Sequence, residues 1–173
     1  MDDDLELLAE QAREGNDAAV AELVRRTQPT VWRLCRSLGD GADVEDLVQD
    51  TYLRALKSLA SYRGDAPVMA WLLSIARHVC ADRVRQRQRS RRLFDRLTSV
   101  AVERTVTRGD RTMDDLVAAL TPDRREAFVL TQELGLSYEE AALVMDCPVG
   151  TIRSRVARAR ADLADAVHRA NAV

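Results

Sequence analysis

No stretch of this chain alternates apolar and polar residues for long enough to make a strand, whereas an apolar period near 3.6 residues recurs along it. That pattern points to an all-α fold, because each helix carries one apolar stripe and must bury it against a neighbour. Val20, Leu23 and Val24 open the pattern. Pro29 interrupts it, and it resumes as Val31, Leu34, Cys35 and Leu38. Pro29 is expected in the first turn of a second helix, where its missing N–H costs nothing. Gly39-Asp40-Gly41 is a breaker. Between Asp43 and Leu59, one face carries Val44, Leu47, Val48, Thr51, Ala55, Leu56 and Leu59. Glu45, Asp46, Gln49 and Asp50 fall mostly on the other face, and acids in the first turn suit the helix dipole.

The segment Tyr62 to Pro67 reads as a loop. A long helix is expected from about Val68, burying Trp71, Leu72, Ile75, Val79 and Cys80. At residues 83–92 (RVRQRQRSRR) the apolar stripe stops while helix-compatible residues continue, so the helix is expected to run out into solvent. Residues 96–112 show no clear stripe and contain Gly109, which suggests a flexible linker. The chain thus divides into an N-terminal domain (1–95), a linker (96–112) and a C-terminal domain (113–173).

The C-terminal third is the best punctuated. Thr121-Pro122 has the form of an N-cap followed by proline at the first helical position, and that helix is expected to run to Leu134 and stop at Gly135. Ser137-Tyr138-Glu139-Glu140 is a capping box, opening a short helix to Met145. Asp146-Cys147-Pro148 makes a tight turn before a basic helix from about Val149 to Arg169. Short helix, tight turn and longer helix form a helix-turn-helix. Val149, Ile152, Val156 and Leu163 are the buried stripe of the last helix, and residues 149–160 hold no acid. Arg153, Ser154, Arg155, Arg158 and Arg160 carry its polar and cationic groups. Arginine bonds guanine bidentately in the major groove and also neutralises phosphates. A plain surface helix with a solvated Arg face accounts for the charges, but not for the capping box and turn that precede them.

Charge is strongly segregated beneath a net of −2. Residues 1–50 carry 13 acids and 5 bases, and residues 77–111 carry 11 bases and 4 acids. Residues 112–148 return to 8 acids and 2 bases, and residues 149–173 carry 5 bases and 2 acids. Two basic blocks separated by an acidic one suggest two polyanion-binding surfaces, with acidic faces left for other partners. Of 26 basic residues 25 are arginine and only Lys57 is lysine, a composition that with abundant alanine suggests a high-GC bacterial genome.

Enzyme chemistry finds little support. There is no Gly-rich phosphate loop and no nucleophile elbow, so no catalytic residue is assigned. His78 and Cys80 are two residues apart on a helix and diverge, a poor geometry for one metal; no metal or other cofactor is expected. Cys35, Cys80 and Cys147 show no CxxC spacing. The acidic start is followed by no apolar core of a secretory signal, and no run of about 18 apolar residues occurs, so a cytoplasmic chain without membrane insertion is expected.

Three segments share a resemblance. The stretch LGLSYEEAALVMDCPVGTIRSRVARARADL (134–163), and PVGTIRSRVARAR (148–160) within it, resembles the promoter-reading helix-turn-helix of extracytoplasmic-function (ECF) sigma factors of the sigma-70 family. DVEDLVQDTYLRAL (43–56) is similar to the helix with which sigma factors grip the clamp of the polymerase's largest catalytic subunit. YRGDAPVMAWLLSIARHVCADRVRQR (62–87) resembles the segment that melts and reads the minus-ten element. The matches lie in the family's order over about 17–92 and 113–165. The resemblance implies a non-catalytic subunit that directs promoter-specific transcription initiation in a stress or environmental response.

It also implies partners and sites. The partners are core RNA polymerase (the clamp, and the flap of the second subunit), promoter DNA and an anti-sigma protein, for a chain that is monomeric when free and nucleoid-associated in holoenzyme. Asp46, Leu47, Gln49 and Asp50 become polymerase contacts. Tyr62, Arg63, Asp65, Trp71, Arg77, Arg83, Arg85 and Arg87 become minus-ten contacts. Thr151, Arg153, Ser154, Arg155, Arg158 and Arg160 become minus-thirty-five contacts, with Arg153, Ser154 and Arg158 facing bases. Trp71 is followed by Leu72 rather than by a second aromatic, a departure from primary sigma factors that weighs against a paired aromatic wedge. A free-standing helix-turn-helix regulator would explain 134–163 but leave the 43–56 helix and the Arg run without purpose; an adaptor that binds partners without reading DNA is a further alternative.

Overall fold

A computed structural model of the chain describes residues 2–39, 41–98 and 112–171. Among them there is no strand. The helices are α1 (Asp2–Arg13), α2 (Asp17–Leu38), α3 (Val44–Ser58), α4 (Val68–Thr98), α5 (Met113–Ala118), α6 (Pro122–Phe128), α7 (Tyr138–Met145) and α8 (Val149–Asn171). A 3-10 turn at Leu59–Ser61 follows α3, and a π-helical turn at Val129–Glu133 follows α6.

The helix starts are explicit at the atomic level. Asn16 caps α2 by accepting from the N–H groups of Ala18 and Ala19, and Asp43 caps α3 by accepting from Glu45 and Asp46. Each satisfies donors that a helix start leaves orphaned. The Ser137–Glu140 capping box is closed in both directions, and Asp146 adopts the left-handed conformation (φ 48°) that turns the chain between α7 and α8. Gly39 carries the α2–α3 corner: a Cβ there would fall 2.7 Å from both the Cys35 carbonyl and a Leu47 methyl.

Four expectations are corrected. Pro29 does not start a helix but lies inside α2. Its ring is exposed, and the buried stripe of Leu23, Thr27, Val31 and Leu34 runs past it on the other side, so packing holds the helix through the missing N–H. Leu56 is 42 % exposed rather than part of the α3 stripe. The helix expected to run to Leu134 is α only to Phe128 and continues as the π-helical turn, while Gly135 (φ 76°) does stand just beyond it. Helix α4 reaches Thr98, three residues into the expected linker, and Thr112 at the linker's other end caps α5; the remainder, 99–111, lies outside the described residues. Helices α1 and α5 were not anticipated. Residues Leu5, Ala9 and Ala12 of α1 are buried at helical spacing beneath a sequence dominated by acids.

The two helical units, α1–α4 and α5–α8, meet in one continuous buried cluster. It runs from Val31, Leu34 and Leu47 through Leu73, Ala76 and Cys80 to Leu130, Val144 and Ile152. Helix α4 packs on α7, and α2 touches α5 and the π-helical turn. Polar groups bridge the units too. Arg77 Nε donates to Glu126 Oε2 (2.7 Å), Arg36 Nη2 to Asp114 Oδ2 (2.6 Å) and Ser37 Oγ to Glu133 Oε2 (3.0 Å).

Candidate nucleic-acid interface

Helix α8 presents two kinds of cation. Arg153, Ser154 and Arg158 are exposed, and among the described residues neither arginine makes an ion pair or side-chain hydrogen bond. Arg155 is held instead: its Nη2 donates to Asp123 Oδ2 at 2.6 Å, with Nη1 3.7 Å from Cys147 Sγ. Arg160 donates to Gln132 Oε1 at 2.6 Å, and Thr151 is half-buried. Beneath them Ile152, Val156, Ala159 and Leu163 are buried against the rest of the C-terminal unit, so the helix cannot roll to exchange one set for the other. The packing of α8 is against α5, α6 and α7, which leaves the face bearing Arg153, Ser154 and Arg158 open.

On α3 the exposed stripe is longer than the polar residues suggested. Asp46, Gln49 and Asp50 are continued at helical spacing by Leu53 (49 % exposed) and Leu56. Leu47, expected among the polymerase contacts, is fully buried between α2 and α3, so it serves the core and cannot reach a partner. Sequence reasoning missed Leu53 altogether, although its place one turn beyond Gln49 and Asp50 was a usable signal.

The third set lies on the 62–67 loop and α4. Arg63, Gly64 and Asp65 form an exposed tip, and Gly64 takes a positive φ of 76° that a side chain would strain. Tyr62 and Trp71 are half-buried on each other, with ring centroids 5.0 Å apart. Burial and the neighbouring Glu6 carboxylate push the Tyr62 phenol well above its ordinary range. The α4 arginines are dispersed rather than lined up. Arg77 is paired to Glu126 of the other unit. Arg83 lies between the α3 carboxylates, 3.9 Å from Asp46 and 3.5 Å from Asp50. Arg85 pairs with Asp82 (2.7 Å), and Arg54 and Arg85 together hold the Asp82 carboxyl below its usual range. Arg87 is half-buried near Gly41.

No group of residues with metal-binding geometry occurs among the described residues. No helix among them is long and apolar enough to cross a membrane.

This arrangement has counterparts among known proteins. The Sigma-70 region 2 family matches residues 23–90, and the Sigma-70 region 4 family matches residues 110–163. The ECF RNA polymerase sigma factor SigC of Mycobacterium tuberculosis is 46 % identical, over 95 % of this chain and 92 % of that protein. The ECF RNA polymerase sigma-E factor of Escherichia coli is 32 % identical, over 90 % of each. Among solved structures, CnrH in complex with the cytosolic domain of CnrY superposes with a TM-score of 0.73 at 32 % identity, covering 94 % of this chain and 96 % of that one. The sigma factor RpoE in complex with the anti-sigma factor NepR from Bartonella quintana gives 0.72 at 31 % identity, covering 86 % and 96 %.

Proposed function

Because the chain belongs to the ECF sigma factors of the sigma-70 family and is an alternative RNA polymerase sigma factor, we propose that its three exposed surfaces divide the work of promoter-specific initiation. The domain division follows the same lines, with 1–95 serving the polymerase clamp and the minus-ten element and 113–173 the minus-thirty-five element. The α3 stripe Asp46, Gln49, Asp50, Leu53 and Leu56 binds the clamp: its amide and carboxylates offer polar bonds, and its leucines offer apolar area. The Arg63–Gly64–Asp65 tip takes an unpaired base of the minus-ten strand, and Arg83, Arg85 and Arg87 follow its backbone. In α8, Arg153, Ser154 and Arg158 read bases in the major groove, while Arg155 and Arg160 position the helix.

The observation that carries this reading is the division within α8. The cations on its open face are unpaired, while those on its flanks are already bound within the fold. The chain acts without catalysis, in the cytoplasm and on the nucleoid when in holoenzyme, and is monomeric when free. An anti-sigma protein is proposed as a partner on the strength of the RpoE–NepR complex. Transcription reconstituted with core polymerase on a promoter library, followed by sequencing of the transcribed promoters, tests the whole. Two enriched elements at fixed spacing are expected; transcription from unrelated sequences alike would refute it.

A further inference from the structure

The 62–67 loop does not hold its shape alone; α1 grips both its ends. Glu6 Oε1 accepts from the Val68 N–H (2.7 Å), one of the orphan donors at the start of α4, and Glu6 Oε2 lies 2.8 Å from the Tyr62 hydroxyl. That hydroxyl is also 2.7 Å from the Ala66 carbonyl, so its single proton is shared between two acceptors. From the other end of α1, Arg13 Nη1 donates to the Tyr62 carbonyl at 3.4 Å. Apolar contact closes the joint: Leu5 and Ala9 of α1 pack with Leu23 and the fully buried Val68. Everything flanking the tip is thus fixed, while Arg63, Gly64 and Asp65 project free of it.

We propose that Glu6 is a positioning residue for promoter recognition: from α1 it fixes the two ends of the 62–67 loop, so that the Arg63–Asp65 tip meets an unpaired minus-ten base in one conformation. The inference rests on the reading of that tip as the base-contacting element. Nothing in it requires Glu6 to touch DNA. Glu6 acts through Tyr62 and Val68, and its loss leaves the tip able to sample shapes that accept several bases.

The test uses full-length chain with core polymerase and promoters varied at each minus-ten position in competition, so that any inactive fraction cancels from the ratio. Glu6→Ala is expected to reduce the preference for the best base at one minus-ten position about tenfold, the size of one lost base contact, with minus-thirty-five preference unchanged. Glu6→Gln should restore it. Its amide oxygen accepts from Val68 N–H, and its NH2 donates to the Tyr62 oxygen, leaving the phenol free to donate to Ala66. Tyr62→Phe, which keeps the ring and the Val68 bond, should lose part of the preference and stands in if Glu6→Ala does not fold. Weakening of all promoters alike by Glu6→Ala, with ratios unchanged, would overturn the proposal and leave Glu6 a purely structural residue. Arg63→Ala and Asp65→Ala separate the two ideas. If they alter the minus-ten preference and Glu6→Ala does not, positioning alone is refuted. If they do not alter it either, the tip is not the reader, and both fall.

Discussion

Removing the Glu126 carboxylate should loosen the contact between the two helical units, and the structure bounds by how much. Arg77 Nε and Glu126 Oε2 are 2.7 Å apart, and their side chains are only 22 % and 15 % exposed. A hydrogen bond to a charged group in such a place contributes about 1.5–3 kcal/mol. A second inter-unit ion pair among the described residues, Arg36–Asp114, is 58 % and 73 % exposed and falls in the class of about 0–1 kcal/mol. Taking the units in contact as closed and the units apart as open, Glu126→Ala should therefore shift the equilibrium about 10- to 150-fold toward open, and Asp114→Ala no more than about fivefold. Distance between dyes on Lys57→Cys and Ala164→Cys, in a Cys147→Ser background and through a gentle urea titration, reads the equilibrium. A double-mutant cycle with Arg77→Ala isolates the pair. A coupling below about 0.5 kcal/mol, or equal effects at Asp114 and Glu126, would refute the ranking by burial.

Three further outcomes are expected. Reversing charge at Asp46 and Asp50 together should weaken core binding in a titration and leave helix content intact, since both are surface groups that pair within the fold with Arg83 at 3.9 and 3.5 Å; undiminished co-elution with core polymerase would remove α3 from the interface. Replacing Arg153 or Arg158 with Ala should cost about 1–3 kcal/mol and relax preference at one base, whereas Arg160→Ala should weaken all promoters alike and flatten the salt slope by at most about 1; uniform effects from all three would reject the assignment of readers. A thiol reagent should count one fast cysteine in the native chain, Cys147, and three in denaturant. Cys35 and Cys80 are buried, and the bond with Cys35 together with burial pushes the Cys80 thiol well above its ordinary range, favouring the unreactive protonated form; three fast thiols in the native chain would contradict the burial.

Much of the molecule was legible because its signals are local. The Ser137–Glu140 box, the left-handed Asp146 and the Ile152–Val156–Leu163 stripe each need only a few neighbouring residues to be read. On α8, Arg153 and Arg158 are left open and unpaired, although the groups that hold Arg155 and Arg160 lie 32 and 28 residues away in sequence. What escaped depends on partners distant in sequence. Leu47 was placed both in a core stripe and on a partner surface, and only the neighbouring α2 decides for the core. Glu6 looks like one more acid in an acidic terminus until Tyr62 and Val68, 56 and 62 residues away, arrive beside it. Pro29 reads as a helix start because its own backbone chemistry is local, while the packing that overrides it is not.

The segregated charges carry one more consequence. The acidic blocks at 1–50 and 112–148 can face the basic blocks at 77–111 and 149–173, but surface ion pairs at about 0–1 kcal/mol each need apolar contact beside them to hold two units together. The structure gives the larger share to that apolar contact. The inter-unit ion pairs are few among the described residues, whereas the buried cluster is continuous from α2 to α8. Burial of that kind responds weakly to salt, while exposed pairs are screened within about 8–10 Å at moderate ionic strength. Salt alone should therefore leave the closed arrangement largely intact, and a binding partner that opens it must replace apolar area as well as charge. The α3 stripe ends in exposed Leu53 and Leu56, so a surface able to supply that area is already present on the polymerase-facing side proposed here. If 0.5 M salt separates the dyes as fully as Glu126→Ala does, electrostatics dominates closure after all and the apolar cluster is a minor contributor.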